Sequence, residues 1–267
     1  SALIGANGAG KSTLLRLLRG QIKADSGAVT LEGGLGVMDQ FVGHVRDDST
    51  VRDLLVDVSP TAVREAARRA ARIGIRGIEI HAAHGYLLHQ FLSPLANRRD
   101  DAYGGSAANR ARFALECLQA MADAIGPGRV GLRVRPGNPY NDIQDDEPMA
   151  SSAELMRQAA TLGLAYLHVI EGETGGTRTP EGKPFDYEAL HRACKGAWMV
   201  NNGYSRDLAL QTVADGKADL IAFGRSFIST PDLVRRLREG AALNELRADK
   251  LYGGGAEGYT DYPTLAN

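Results

Sequence analysis

Cysteine is scarce in this 267-residue chain. Its two residues, Cys117 and Cys194, sit in helix-like stretches with no metal-ligand spacing. They do not supply the disulfide framework on which small secreted domains depend, and the expected compartment is the reducing cytoplasm. An excess of either charge is also missing: 31 basic against 32 acidic side chains leave a net charge of -1. That is not the electrostatic footprint a nucleic acid or an anionic membrane surface requires. No apolar run approaches the roughly 20 residues of a membrane-spanning helix. Internal repeats and low-complexity segments are absent too. What is left is a small-molecule partner, on a chain long enough for one large α/β domain or two small ones with a substantial core.

The first feature present is a glycine-rich turn between a short apolar strand, "SALIGA", and an apolar helix, "KSTLLRLLRG". The string "GANGAGKST" places Gly5, Gly8, Gly10, Lys11, Ser12 and Thr13 in a Walker A pattern. In such a loop the backbone N–H groups wrap phosphate oxygens, while the lysine supplies charge and the serine a hydroxyl for magnesium. The stretch as far as Gln40 resembles the start of a soluble ABC-type ATPase domain. The resemblance implies ATP with Mg at the loop, and a magnesium- and water-contacting role for Gln40. It runs to about residue 60. An ATPase of that kind also needs an LSGGQ-like signature and an acidic pair at the end of an apolar strand. "YGGS" at Tyr103 does not serve as the first, and "DDEP" at Asp145 follows the polar run "YNDIQ". Nucleotide binding without turnover is the expectation.

From Pro60 the pattern changes to alternating helix and strand, the signature of βα units and a parallel sheet. The runs "GIEIH", "VGLRVRP", "AYLHVIE", "WMVNNG" and "LIAFGR" read as buried parallel strands. The helices between them carry start and stop signals. "SSAELMRQAATLG" shows a capping box from Ser151 to Glu154, an apolar stripe at Leu155, Ala159 and Leu162, and Gly163 as its stop. A complete (β/α)8 barrel needs about 250 residues. The expected fold is therefore α/β: a partial TIM barrel of about five βα units, residues 61–267, preceded by a truncated P-loop segment, residues 1–60.

The stretch "GIEIHAAHGYLLHQFLSPLANRRDDAYGGSAANRARF" carries the chemistry. His81 and His84 emerge where the strand ends, on the barrel face where active-site loops gather. Two imidazoles there can hydrogen-bond one carbonyl oxygen and stabilise the enolate formed on hydride addition. Tyr86 can deliver a proton to the neighbouring carbon. The competing readings are half of a zinc site, for which no third ligand stands at the right spacing, and a structural histidine pair. His168, inside "AYLHVIE", reads as a buried, satisfied core histidine.

This stretch, and the chain from about Ala66 to the terminal "YGGGAEGYTDYPTL", closely resembles the Old Yellow Enzyme family of FMN-dependent, NADPH-dependent ene-reductases. The resemblance implies a flavin-binding barrel that reduces activated alkenes with NAD(P)H. His81 and His84 then hold the substrate, Tyr86 donates the proton, and Arg133 lies beside the flavin pyrimidine, where its charge stabilises the reduced ring. Asn202, Gly203, Gly224 and Arg225, at the ends of the last two strands, fall where barrels place a phosphate site. The loop "NRRDDAYGGSAANR" is expected to be structural, with Ser106 capping the next helix. The family's first three strands, with their flavin contacts, leave no trace in residues 1–60. Two alternatives stand beside this reading: an ATP-binding fragment of a soluble ABC protein, and an inactive fusion.

Overall fold

In the computed structural model of the chain, the described residues are 59–265 apart from 138–140, 142, 144, 173–184 and 253–254. Gly5, Gly8, Gly10, Lys11, Ser12, Thr13 and Gln40 lie outside them, as do the strand-like and helix-like runs expected before Pro60. The described residues form two units, one ending at Ala222 and the other beginning at Phe223. None of their helices is long and apolar enough to cross a membrane.

The first unit alternates helix and strand as the sequence leads one to expect. Its strands are β1 (Ile78–Ala82), β2 (Val130–Val134), β3 (Tyr166–Ile170), β4 (Trp198–Asn201) and β5 (Leu220–Ala222), parallel and in sequential order in one sheet. The helices are α1 (Pro60–Arg72), α2 (Leu87–Leu92), α3 (Ala107–Ile125), α4 (Pro148–Ala160), α5 (Tyr187–Ala193) and α6 (Arg206–Ala214). Parallel neighbours need crossovers long enough for a helix, and each strand is followed by at least one.

The strands are not uniformly apolar, as expected from their composition, but two-faced. Ile80, Leu132, Leu167 and Trp198 share one register row, and Ala82, Val134, Val169 and Val200 another; all eight are buried. The opposite face carries the row His81, Arg133, His168 and Met199, with Glu79, Gly131 and Tyr166 one step below it. Side chains alternate across a strand, so this register fixes which residues can form a site.

Local caps start four of the six helices of the first unit. Ser59, Ser106, Asp186 and Ser205 each accept a hydrogen bond from the backbone N–H three residues on, which satisfies one of the orphaned donors of the first turn. The capping box expected at Ser151 is not formed. α4 begins three residues earlier, with Pro148 at its first position, where a fixed φ suits a helix and the missing N–H costs nothing. Ser151 is then buried one turn inside, and its Oγ accepts from Arg110 Nη2 at 3.1 Å. Glu154 pairs with Arg157 at 2.8 Å instead of reaching back. Gly163 does close the turn after α4, at φ 69°. Cys194 is the C-cap of α5 and not part of the helix, while Cys117 lies within α3; both thiols are free and buried.

The loop before α3 is structural, as expected. Asn97 Nδ2 donates to the carbonyls of Phe91 and Tyr103, each at 2.7 Å. Arg99 pairs with Asp101. Arg110, itself 4% exposed, donates from Nε to Leu92 O at 2.8 Å and from Nη1 to Gly105 O.

In the second unit, α7 (Arg225–Ser229) and α8 (Leu233–Glu239) are tied to the C-terminal segment. Asp232 Oδ1 accepts from Arg236 Nε and its Oδ2 from Leu265 N, each at 2.8 Å. Arg247 bonds Asp261 at 2.9 Å and lies 4.4 Å from the ring of Tyr262.

Candidate active site

β1 ends at Ala82, and two residues further on the chain reaches a pair that no strand can continue. His84 and Gly85 both have left-handed backbones, with φ 55° and 75°, and turn the chain sharply into α2. Such a backbone suits glycine but is uncommon for histidine, so His84 needs holding. Asn141 Nδ2 donates to the His84 carbonyl at 2.9 Å. From inside α2, buried His89 accepts the Gly85 N–H on Nδ1 at 3.0 Å.

This turn brings His81, His84 and Tyr86 together. His84 Nδ1 and His81 Nε2 share a hydrogen bond at 3.2 Å, and the Tyr86 ring centroid lies 5.4 Å from that of His81. Tyr86 is 56% exposed, and its backbone caps α2, so the phenol is open to an incoming molecule. Burial first, and then the nearby Arg133, lowers the pKa of His81. His84 is lowered to about 4, again mainly by burial and then by His81, Arg135, Arg133 and His89. Both imidazoles are therefore neutral at pH 7. Each ring carries one proton, and in the mutual bond one ring donates while the other accepts. Both rings can donate to one oxygen only after that bond opens, at a cost of about 1 kcal/mol.

Arg133 is the register partner of His81 on β2. Four atoms on this side of the sheet are buried without a hydrogen-bond partner among the described residues: His81 Nδ1, Arg133 Nε, His168 Nε2 and Asn201 Oδ1. Unpaired buried polar atoms cost free energy, and so many on one face marks a surface made for a polar ligand. His168 is buried as expected, and its Nδ1 bonds Glu79 Oε2 at 2.8 Å. Its other nitrogen is one of the unpartnered four, so it is not fully satisfied.

Beyond β4, Asn202 and Gly203 have positive φ values of 107° and 66°. The Asn202 amide donates to the Glu171 carbonyl at 2.6 Å, so its side chain braces the loop. Gly224 and Arg225 belong to the second unit, where Gly224 caps α7 and Arg225 is exposed. A cavity of about 240 Å³ on the helix side of the sheet is lined in part by Ala82, Val134 and Ser151, and includes none of His81, His84 and Tyr86. Among the described residues no group of three or more His, Cys, Asp or Glu is arranged to hold a metal ion.

Sequence reasoning missed four residues here. His89 and Asn141 clamp the turn, while Glu79 and Tyr166 form a network with His168. Glu79 and His89 lie within the quoted stretch itself, whereas Asn141 and Tyr166 come from distant parts of the chain.

Comparison with known proteins gives the chain's relatives. The model of the NADH:flavin oxidoreductase / NADH oxidase family matches residues 59–244, and that of the ABC transporter family matches residues 1–88. Putative 12-oxophytodienoate reductase 10 of Oryza sativa subsp. japonica is 40% identical over 235 residues, 84% of this chain and 73% of that protein. The 12-oxophytodienoate reductase 2 of Arabidopsis thaliana is 37% identical over 239 residues, 87% of this chain and 64% of that protein. A solved structure of morphinone reductase superposes with a TM-score of 0.74 at 41% identity, covering 80% of this chain and 57% of that one. The old yellow enzyme from Trypanosoma cruzi gives a TM-score of 0.72 at 32% identity, over 78% of this chain and 55% of its own. The chain belongs to the NADH:flavin oxidoreductase / NADH oxidase family. It spans 56% of the length of one of its rice relatives, putative 12-oxophytodienoate reductase 12.

Proposed function

We propose that residues 61–267 carry FMN-dependent oxidoreductase chemistry of the Old Yellow Enzyme type, the reduction of activated alkenes such as enones with NAD(P)H. The observation that carries this reading is the juxtaposition of His81, His84 and Tyr86 beside Arg133, on a sheet face with unpartnered buried donors and acceptors. Those atoms fit FMN. Arg133 offers a cation and an unpaired N–H to its ring, while His168 Nε2 and Asn201 Oδ1 are free to accept from its hydroxyl and N–H groups. The backbone at Asn202 and Gly203 is a candidate for the phosphate, and the phosphate role that resemblance gives Gly224 and Arg225 is part of the same proposal. When bound, FMN supplies the hydride relay between NAD(P)H and substrate.

The chain's own residues do the rest. His81 and His84 exchange their mutual bond for hydrogen bonds to the substrate carbonyl oxygen, as neutral donors. Tyr86 gives its phenolic proton to the alkene carbon. The names of the relatives, reductases of 12-oxophytodienoate and of morphinone, support a small organic substrate. Residues 1–60 form the second part of the proposal, a truncated ABC-type segment that binds ATP with Mg through Lys11 and Ser12; the match to residues 1–88 supports it. The two buried free thiols support a cytoplasmic location.

The test is a visible spectrum followed by half-reaction kinetics. Protein purified without added FMN is expected to be largely colourless, with titration giving a saturable complex. Tyr86→Phe then slows oxidation of the reduced enzyme by an enone at least 100-fold, the typical worth of a positioned acid, and leaves reduction by NADPH unchanged. No FMN binding at millimolar concentration refutes the proposal, and points to the ATP-binding fragment or the inactive fusion. Equal loss in both half-reactions makes Tyr86 structural.

A further inference from the structure

Glu79 lies one register step below the row of His81, Arg133 and His168. Its carboxylate is gripped from the far side of β2: Oε2 accepts from His168 Nδ1 at 2.8 Å, and the Tyr166 hydroxyl is near enough to help lower its pKa. The reach across β2 is possible because the residue between Glu79 and Tyr166 is Gly131. A Cβ at Gly131 would stand 2.3 Å from the Tyr166 ring, so a side chain there closes the gap. Among the strand residues of the described sheet, Glu79 and Arg133 are the two formal charges. Each feels the other: burial raises the Glu79 pKa, but His168 and Arg133 pull it below the usual value, and Glu79 in turn supports the charge that burial disfavours on Arg133. The bond to Glu79 also fixes the His168 tautomer. With its proton on Nδ1, His168 keeps Nε2 as a bare acceptor.

Resting on the flavin reading above, we propose that Glu79 is a positioning residue that offsets the Arg133 charge and sets how strongly this face prefers reduced over oxidised FMN. Reduced FMN is the more electron-rich form, so an uncompensated Arg133 favours it and a carboxylate fixed nearby restrains that preference. Three neighbours favour the charged carboxylate: His168 by a hydrogen bond, Arg133 by charge and Tyr166 by the dipole of its hydroxyl. Removing one unit charge from such a half-buried face shifts a binding ratio by about tenfold, the order of Coulomb interactions at an effective dielectric near 20.

The experiment compares the dissociation constants of oxidised and anaerobically reduced FMN for three full-length variants and the parent chain. Glu79→Gln keeps an oxygen for the His168 proton and loses the charge. Its ratio of oxidised to reduced dissociation constants is expected to rise about tenfold, equivalent to about 30 mV for a two-electron couple. Glu79→Asp keeps the charge and stays within about twofold of the parent. Tyr166→Phe strips a hydroxyl dipole from the carboxylate but leaves its charge, and moves the ratio the other way by about twofold; this arm decides the matter if Glu79→Gln does not fold. An unchanged ratio in Glu79→Gln overturns the proposal, as does the same rise in Glu79→Asp. A parent chain that fails to bind FMN overturns the flavin reading itself, before any variant is compared.

Discussion

Lowering the pH from 7 to 4.5 will loosen the turn that carries His84 and Tyr86, because His89 must then take up a proton it cannot hold. Its ring is 7% exposed, and its Nδ1 is occupied as acceptor of the Gly85 N–H at 3.0 Å. Burial, then Arg135 and His81, hold its pKa at about 4 against an ordinary value of 6.5. The sign follows from where the proton goes. Between pH 6.5 and about 4 the unfolded chain binds a proton at this site that the folded chain refuses, so stability is complete above pH 6.5 and is lost as pH falls towards 4. At pH 4.5 those two values give a loss of about 2.5 kcal/mol from this residue. With a urea m-value of about 2 kcal/mol/M, the unfolding midpoint drops by more than about 1 M. The assay is urea unfolding at pH 7.0 and 4.5 for the parent and for His89→Gln, whose amide oxygen can accept the same N–H without titrating. The parent is expected to lose about 1 M more than the variant. Curves that fall in parallel would refute the assignment to His89, since every other acid-sensitive group is common to both proteins.

Three further predictions concern packing and nucleotide. Gly131→Ala should destabilise the first unit by about 2 kcal/mol in chemical denaturation, because the new methyl meets the Tyr166 ring. Combining it with Tyr166→Ser should cost less than the sum of the two changes, and strict additivity would show that the ring is not what the methyl strikes. Arg110→Leu should cost roughly 2 to 4 kcal/mol by removing a buried cation that bonds Leu92 O, Gly105 O and Ser151 Oγ; a change below 0.5 kcal/mol would show those carbonyls to be satisfied without it. Lys11→Ala should abolish whatever ATP binding the chain has, and phosphate release should stay at background in both proteins. Steady release that this substitution removes would contradict the absence of an acidic pair in the sequence.

What could be read from the sequence was what is decided locally. Ser106 and Ser205 announce their helices because a cap bonds a backbone group three residues away. His81, His84 and Tyr86 fall within one turn, so any chain path ending β1 there brings them together. The sequence misplaces the start of α4, because Pro148 and Ser151 both signal a helix start and Arg110, 41 residues away in sequence, claims the serine hydroxyl. The bond between Glu79 and His168 spans 89 residues and depends on β1, β2 and β3 pairing in one register. Nothing in "GIEIH" or "AYLHVIE" states that register. The two-faced strands were hidden by their shortness, since "VGLRV" holds a single charged residue and otherwise reads as apolar throughout.

The row His81, Arg133, His168 has a consequence for how this chain tolerates change. Its three members come from three separate strands, yet all are aligned by the same pleat that points Ile80, Leu132 and Leu167 the other way. A slip of one residue in any strand would carry its ionisable member in among the aliphatic side chains and leave an aliphatic residue in its place. Alignment of the row is thus proofread by core packing: a misregistered strand is rejected on stability before it can produce a disordered row. Loops joining the strands can accept insertions or exchange without disturbing the row, whereas a deletion within a strand should remove folding and chemistry together.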